Sequence, residues 1–293
     1  MALTVRMGIR VRAPREFVFQ HLLTPHHLAR WFCNFAQFDA RGPAVGTKFR
    51  FGGDYAIAAA EPPGWPCEIL GGEVLKAVSF RWPLLGADTR VDWRVEESPE
   101  GSIFRIVHAD LPGKESTCGR FQDAWRVCLG NLKAVAEARD DSLRPDSAPI
   151  PGGTIRLNVL IGAPRSKVFD ALVDHALLAR WTEDPAPTVE ARVGGAYVIH
   201  PPMDMRASVL EADPGNRLAL SWPMSGRPTH VTVSLESKGG DRSGLYFLQE
   251  GVAEAAAVGL RCAWSDLLVG LKNFLEAGET GFTEPYTAQV QAP

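Results

Sequence analysis

Residues 13–31 read APREFVFQHLLTPHHLARW, and residues 163–181 read APRSKVFDALVDHALLARW. Laid on each other without a gap, 10 of the 19 positions are identical. Ala13-Pro14-Arg15 falls on Ala163-Pro164-Arg165, and Leu28-Ala29-Arg30-Trp31 falls on Leu178-Ala179-Arg180-Trp181. A match this dense at one fixed offset marks an internal repeat. Working outward, Val45-Gly46 matches Val193-Gly194, Trp82-Pro83 matches Trp222-Pro223, and Trp125, Leu129, Leu132 and Lys133 fall on Trp264, Leu268, Leu271 and Lys272. The order of features is the same in both halves. The chain therefore reads as two copies of one domain, over 1–139 and 154–277. A linker over 140–153, rich in Asp, Ser, Pro and Gly, joins them, and an irregular tail over 278–293 follows.

Each copy has the period of an α+β domain. Val5, Met7, Ile9 and Val11 alternate with polar residues, as in a half-buried strand. Two short helices follow, the second opened by Thr24-Pro25 with Leu28, Trp31 and Phe32 on its inner face. About six strands come next, with Phe49 and Phe51, Phe80 and Trp82, and Val91, Trp93 and Val95 each sharing a face. A long helix closes the copy, striped by Phe121, Trp125, Leu129 and Leu132. The second copy repeats this plan, with Tyr197, Met205, Leu218, Trp222 and Trp264 on the corresponding faces. The expected architecture is two tandem α+β domains, each a curved antiparallel sheet around its long C-terminal helix. Such a sheet leaves room for a pocket beneath it.

Composition narrows the function. The 293 residues are 45% hydrophobic and 22% charged with net charge −3, and the 31 basic residues never form a run. That balance offers no footprint for nucleic acid. No apolar run approaches the length of a membrane span. The five cysteines lack paired spacing, so neither a disulfide framework nor a zinc site is expected, and buried thiols in a reducing cytoplasm are. The histidines show no metal-ligand spacing, and no phosphate loop, nucleophile elbow or dinucleotide fingerprint appears. No catalytic residue, cofactor or metal is therefore assigned.

The ordered motifs resemble the activator of heat-shock-protein-90 ATPase homologue-like family of the START-like (SRPBCC) helix-grip superfamily, which implies two tandem helix-grip domains. Those motifs are an Ala-Pro before the first helix, Leu-Ala-Arg-Trp ending the second, the Val-Gly pairs, Val209-Leu210-Glu211-Ala212-Asp213-Pro214 and the Trp-bearing last helix. The first copy begins the same phrase at Glu73-Val74-Leu75-Lys76 but lacks its Asp-Pro. The resemblance implies a cavity between sheet and C-terminal helix that holds an apolar or aromatic ligand, and a link to chaperone ATPase stimulation. Two copies of the C-terminal-type domain stand here where those co-chaperones carry a distinct N-terminal domain.

Candidate ligand-binding residues are the inward aromatics Trp31, Phe51, Trp82, Trp93, Trp125, Trp181, Tyr197, Trp222 and Trp264, with Met205 and His108. Core filling competes with this role at every tryptophan. Trp65 fits no core stripe, and the segment around 54–61, longer than its counterpart, reads as a lid, a docking surface or a tolerated insertion. Three readings follow: a non-catalytic binder of a small apolar ligand, a chaperone-linked interaction module, or a cyclase- or hydratase-like enzyme. The third needs an acid–base pair, for which His108 with Arg105 or Glu68 is the candidate, although Arg105 alternates to the opposite face.

Overall fold

The computed structural model describes residues 3–39, 44–53, 64–113, 115–200, 205–224 and 226–284. The longer segment at 54–61 lies outside them. The chain divides into two compact units, residues 1–148 with 281–293, and residues 149–280.

Unit 1 runs β1 (Leu3–Val11), α1 (Arg15–Leu23), α2 (Pro25–Trp31), β2 (Phe35–Phe38), β3 (Lys48–Gly52), β4 (Trp65–Glu73), β5 (Ala77–Leu84), β6 (Ala87–Ser98), β7 (Gly101–Leu111) and α3 (Glu115–Ala136). Unit 2 repeats it as β8 (Ile155–Ile161), α4 (Arg165–Val173), α5 (His175–Thr182), β9 (Thr188–Val189), β10 (Ala196–Ile199), β11 (Met205–Asp213), β12 (Arg217–Met224), β13 (Arg227–Ser237), β14 (Ser243–Glu250) and α6 (Glu254–Ala277). Each unit holds one seven-stranded antiparallel sheet, ordered β1-β7-β6-β5-β4-β3-β2 and β8-β14-β13-β12-β11-β10-β9. The expected two-copy helix-grip architecture is the one observed.

Alternation sets the faces. In β7 the residues Ser102, Phe104, Ile106 and His108 are buried, and those between them are half-buried. Both sheets carry a bulge at the same place, between Ile69 and Gly71 and between Val209 and Glu211. A bulge bends its strand and increases local twist, which helps the sheet curl around the helix.

The long helix is pinned to the first strand by the same device in both units. Lys133 is fully buried and donates to the Arg10 carbonyl at 3.0 Å and to Glu137 at 2.8 Å, while Glu137 accepts the Arg12 amide. Lys272 does the same with the Leu160 carbonyl at 2.8 Å and Glu276 at 2.6 Å, and Glu276 accepts the Gly162 amide. A buried ammonium is tolerated because a carboxylate and a carbonyl satisfy it. Corner bonds repeat too: Ser102 and Ser243 each donate to the carbonyl of Ala13 or Ala163 at 2.7 Å.

The tail returns to a specific place. Within unit 1, the Arg10 amide bonds the Gly281 carbonyl, Thr283 donates its amide to Gly8, and Ile9 bridges Phe282. A Cβ on Gly8 would meet the Thr283 hydroxyl, so glycine eases this close approach. Residues 281–284 thus cover the otherwise open edge of β1, which removes a row of unpaired backbone groups.

Helix ends differ between copies. α6 ends at Gly278, which adopts the left-handed conformation (φ 82), whereas α3 is followed by Ala138 in that conformation (φ 58) with its side chain exposed. A Cβ there costs roughly 1 kcal/mol. Ala138→Gly is expected to raise the stability of unit 1 by about 1 kcal/mol in urea titrations, because no packed side chain is lost.

Candidate functional site

The concave face of each sheet and the inner stripe of the long helix enclose the interior where the family resemblance implies a cavity. In unit 1 that interior is filled by rings. Trp31, Trp82, Trp93 and Trp125 are each at most 2% exposed, as are Phe32, Phe51, Phe80 and Phe104. Phe32 stacks on Trp125 at 5.5 Å, Trp93 lies 5.6 Å from Trp31 and 4.8 Å from Phe80, and Phe51 lies 5.0 Å from Trp82. The expectation that Trp65 lies off the core is corrected: it opens β4 and packs on Phe51 and Trp82. Its Pro-Gly surroundings disguised a strand start.

Unit 2 has traded most of these rings for smaller groups. Strand pairing makes the correspondence explicit, since Val78 faces Trp93 where Leu218 faces Val233, and Val95 faces Phe104 where Leu235 faces Leu245. Thus Phe51, Trp65, Phe80, Trp93 and Phe104 become Ile199, Met205, Leu220, Val233 and Leu245, while Val78 grows to Leu218 and Ile106 to Phe247. Phe32, which follows Trp31, becomes Thr182. Trp222 and Trp264 remain, edge to face at 6.2 Å. Trp181 and Trp31 both donate their indole N–H to a carbonyl of the preceding helix, Ala171 and His21 respectively. Tyr197 is buried and donates to the Leu172 carbonyl at 3.0 Å, and Met205 is fully buried.

One polar chain crosses each interior. In unit 1 the Thr89 hydroxyl donates to the Trp82 carbonyl at 2.7 Å and lies 2.8 Å from His108 Nε2. Trp125 Nε1 lies 3.2 Å from His108 Nδ1. An indole N–H only donates, so Nδ1 must be the acceptor and Nε2 must carry the proton toward Thr89. His108 is thereby fixed as the neutral Nε2–H tautomer, stacked on Trp82 at 5.1 Å. Burial pushes its pKa down to about 3, in the same direction.

Unit 2 builds the same chain from a different residue. Thr229 donates to the Trp222 carbonyl at 2.6 Å, Gln249 Nε2 lies 3.3 Å from Thr229, and Trp264 donates to Gln249 Oε1 at 2.7 Å. Gln249 pairs with Val231 as His108 pairs with Val91, so the two occupy equivalent positions. A glutamine amide presents one donor and one acceptor at the ends of a flat group, as the neutral imidazole does. Thr89, Thr229 and Gln249 escaped sequence reasoning; the available signal was the threonine seven residues after the matched tryptophan in both copies.

The acid–base set proposed from sequence does not assemble. Arg105 and Glu68 lie on the outer face, bonded to Glu96 and Glu284 and to Arg81 respectively. His108 points inward with both nitrogens engaged. His230 is exposed, Arg180 bonds the Gly278 carbonyl and lies over the Phe274 ring, and Cys33, Cys67, Cys128 and Cys262 are buried free thiols. Among the described residues no cluster of His, Cys, Asp and Glu could hold a metal, and no helix is long and apolar enough to cross a membrane.

Unit 2 also carries a cleft next to the buried end of its polar chain. A cleft of about 330 Å³ lies between the β12–β13 hairpin and the start of α6, lined by Met224, Arg227, Thr229, Val252, Ala253 and Ala256. It reaches the threonine of the polar chain.

The model of the activator of Hsp90 ATPase homolog 1-like family matches residues 12–137 and again residues 162–276. The chain belongs to this family. Its two matched segments coincide with the two helix-grip units, so it is a tandem of family domains. Solved structures similar to it include DynU16, from the dynemicin biosynthetic locus, at 17% identity over 94% of this chain and 98% of that one, with a TM-score of 0.40. CV1439 from Chromobacterium violaceum is 26% identical over 43% of this chain and 99% of its own, with a TM-score of 0.37. The Hsp90 activator PFC0360w from Plasmodium falciparum is 17% identical over 41% and 92%, with a TM-score of 0.36. No curated protein matches the chain.

Proposed function

We propose that this family member is a non-catalytic binding protein of the cytoplasm whose second unit takes a small apolar or aromatic ligand between sheet and long helix. The observation that carries this reading is the cleft of about 330 Å³ in the unit where most of the unit 1 rings are replaced by smaller groups. Its size falls at the low end of small-molecule sites, which span roughly 300–1,000 Å³. Met224, Val252, Ala253 and Ala256 supply apolar wall, and Thr229 with Gln249 behind it supplies the sparse polar element that orients a ligand. Among the described residues, His108 stands apart from Arg105 and Glu68, the partners an acid–base role would need.

The test uses the intact chain and 1-naphthol as an aromatic probe. Saturable binding is expected, with quenched tryptophan emission. A ligand present at about 100 times its Kd stabilises the unit it binds by about 2.7 kcal/mol. Ala256→Trp fills the cleft and should abolish both effects. A clean apo mass in native mass spectrometry together with no response to 1-naphthol would set the reading aside.

A second reading, a protein-interaction role related to chaperone ATPase activation, is favoured by family membership and by the ring-filled interior of unit 1. Where a domain's own rings occupy its interior, its surface is what meets a partner. Stimulation of the ATPase of a purified Hsp90-class chaperone by the intact chain is its measurement, and no change in that rate counts against it.

A further inference from the structure

Helices α1 and α4 start from the same Ala-Pro-Arg, yet their surroundings differ at three points. In unit 1, Arg15 lies 3.0 Å from Glu97 and 3.5 Å from Glu16, an ion-paired corner, and Leu75 occupies the neighbouring β4–β5 turn. In unit 2, Ser166 stands where Glu16 stands, and Gly215 holds the β11–β12 turn. Ser237 takes the place of Glu97, because Ser237 pairs with Ser243 as Glu97 pairs with Ser102. Two carboxylates and one large apolar side chain have become two hydroxyls and a glycine. What remains is a cleft of about 460 Å³, lined by Arg165, Ser166, Asp170, Gly215, Ser237 and Arg242.

The geometry points to a binding site in this cleft for a small-molecule phosphomonoester with an organic ring. The charges lining it are two guanidinium groups and one carboxylate, a balance of +1. Arg165 is oriented by a 2.7 Å bond from Nη1 to Asn216 and keeps further N–H donors of its fork for a ligand. Ser166 and Ser237 add hydroxyls. Pro164 makes no side-chain cap at the start of the nine-residue α4. These donors outnumber the two oxygens of a carboxylate and suit the three oxygens of a phosphoryl group, for which planar guanidinium recognition is well matched. The volume exceeds what a bare phosphate fills, and Phe169 and Pro214 give the remainder an apolar wall. Asp170 provides an acceptor for a hydroxyl on the ligand body. The site is separate from the interior cleft and does not depend on the proposed apolar ligand.

Calorimetric titration of the intact chain with phenyl phosphate, inorganic phosphate and benzoate tests the inference. Phenyl phosphate should bind at one site with Kd below about 1 mM, and the other two at least about tenfold more weakly. Ser237→Glu restores the acid that pairs with the arginine in the unit 1 corner and should weaken phenyl phosphate at least about tenfold, as should Arg165→Gln, with unchanged thermal midpoints. Ala256→Trp, which blocks the interior cleft, should leave it bound. Absence of saturable binding, equal affinity for inorganic phosphate, binding that survives Ser237→Glu, or loss of binding in Ala256→Trp would each overturn the assignment.

Discussion

Lys133→Met is expected to lower the stability of unit 1 by about 3 kcal/mol, one of the larger single-residue effects available in this chain. Lys133 is fully buried, and its partner Glu137 is 8% exposed. Removing the ammonium leaves a carboxylate facing an apolar side chain and takes the Lys133 hydrogen bond from the Arg10 carbonyl. Glu137 keeps the Arg12 amide and Arg139, both of which favour its charged form, so the loss falls at the low end of the range for a broken buried pair. Lys133→Met with Glu137→Gln should recover about 1–2 kcal/mol of the loss, since no uncompensated charge then remains. Urea denaturation followed by hydrogen exchange of the β1 and α3 amides assigns the effect to unit 1. A loss below about 1 kcal/mol would show that the pair lies in a wetter site than its burial implies. Lys272→Met is the matched experiment for unit 2.

The two-copy plan was legible because it rests on local periodicity and on identities at fixed offset. Val5 to Val11 alternate, Trp125 to Leu132 recur at helical spacing, and the Ala-Pro-Arg and Leu-Ala-Arg-Trp pairs align without a gap. The device that holds the long helix was half legible. Lys133 and Lys272 match in sequence, but lysine on an amphipathic helix ordinarily faces water, and only the structure brings Arg10 and Glu137 around it. The return of residues 281–284 to β1 left no trace, since a strand contact across more than 270 positions follows from chain path, not from composition. Trp65 was misread because Pro and Gly around it signal a loop, whereas burial against Phe51 and Trp82 outweighs that local preference. The difference between the interiors was present in the aligned strands as ring-to-aliphatic changes. It acquires meaning only once the pairing register shows that those positions face one another.

The exchange of His108 for Gln249 leads to the other large effect. Both residues accept from an indole N–H and lie against a threonine hydroxyl, so His108→Gln should cost no more than about 1 kcal/mol at pH 7. His108→Leu leaves the Trp125 donor unsatisfied in the core and should cost about 2–3 kcal/mol. The two variants separate further as pH falls. The folded pKa of His108 is near 3 and its ordinary value is 6.5, so the unfolded chain takes up the proton first. The stability it supports is whole above about 6.5 and declines as pH drops from there toward 3, by up to roughly 4–5 kcal/mol. Burial also pushes His21 and His27 below their usual value, and both belong to unit 1, so some acid sensitivity persists without His108. His108→Gln should flatten most of the decline between pH 6 and 4, leaving the shallower slope of those two residues. Denaturation midpoints of the parent chain and the glutamine variant across that range decide the matter. Parallel slopes would mean that His108 titrates in the folded protein as freely as in the unfolded one, and that the neutral tautomer held between Trp125 and Thr89 is not what the core requires.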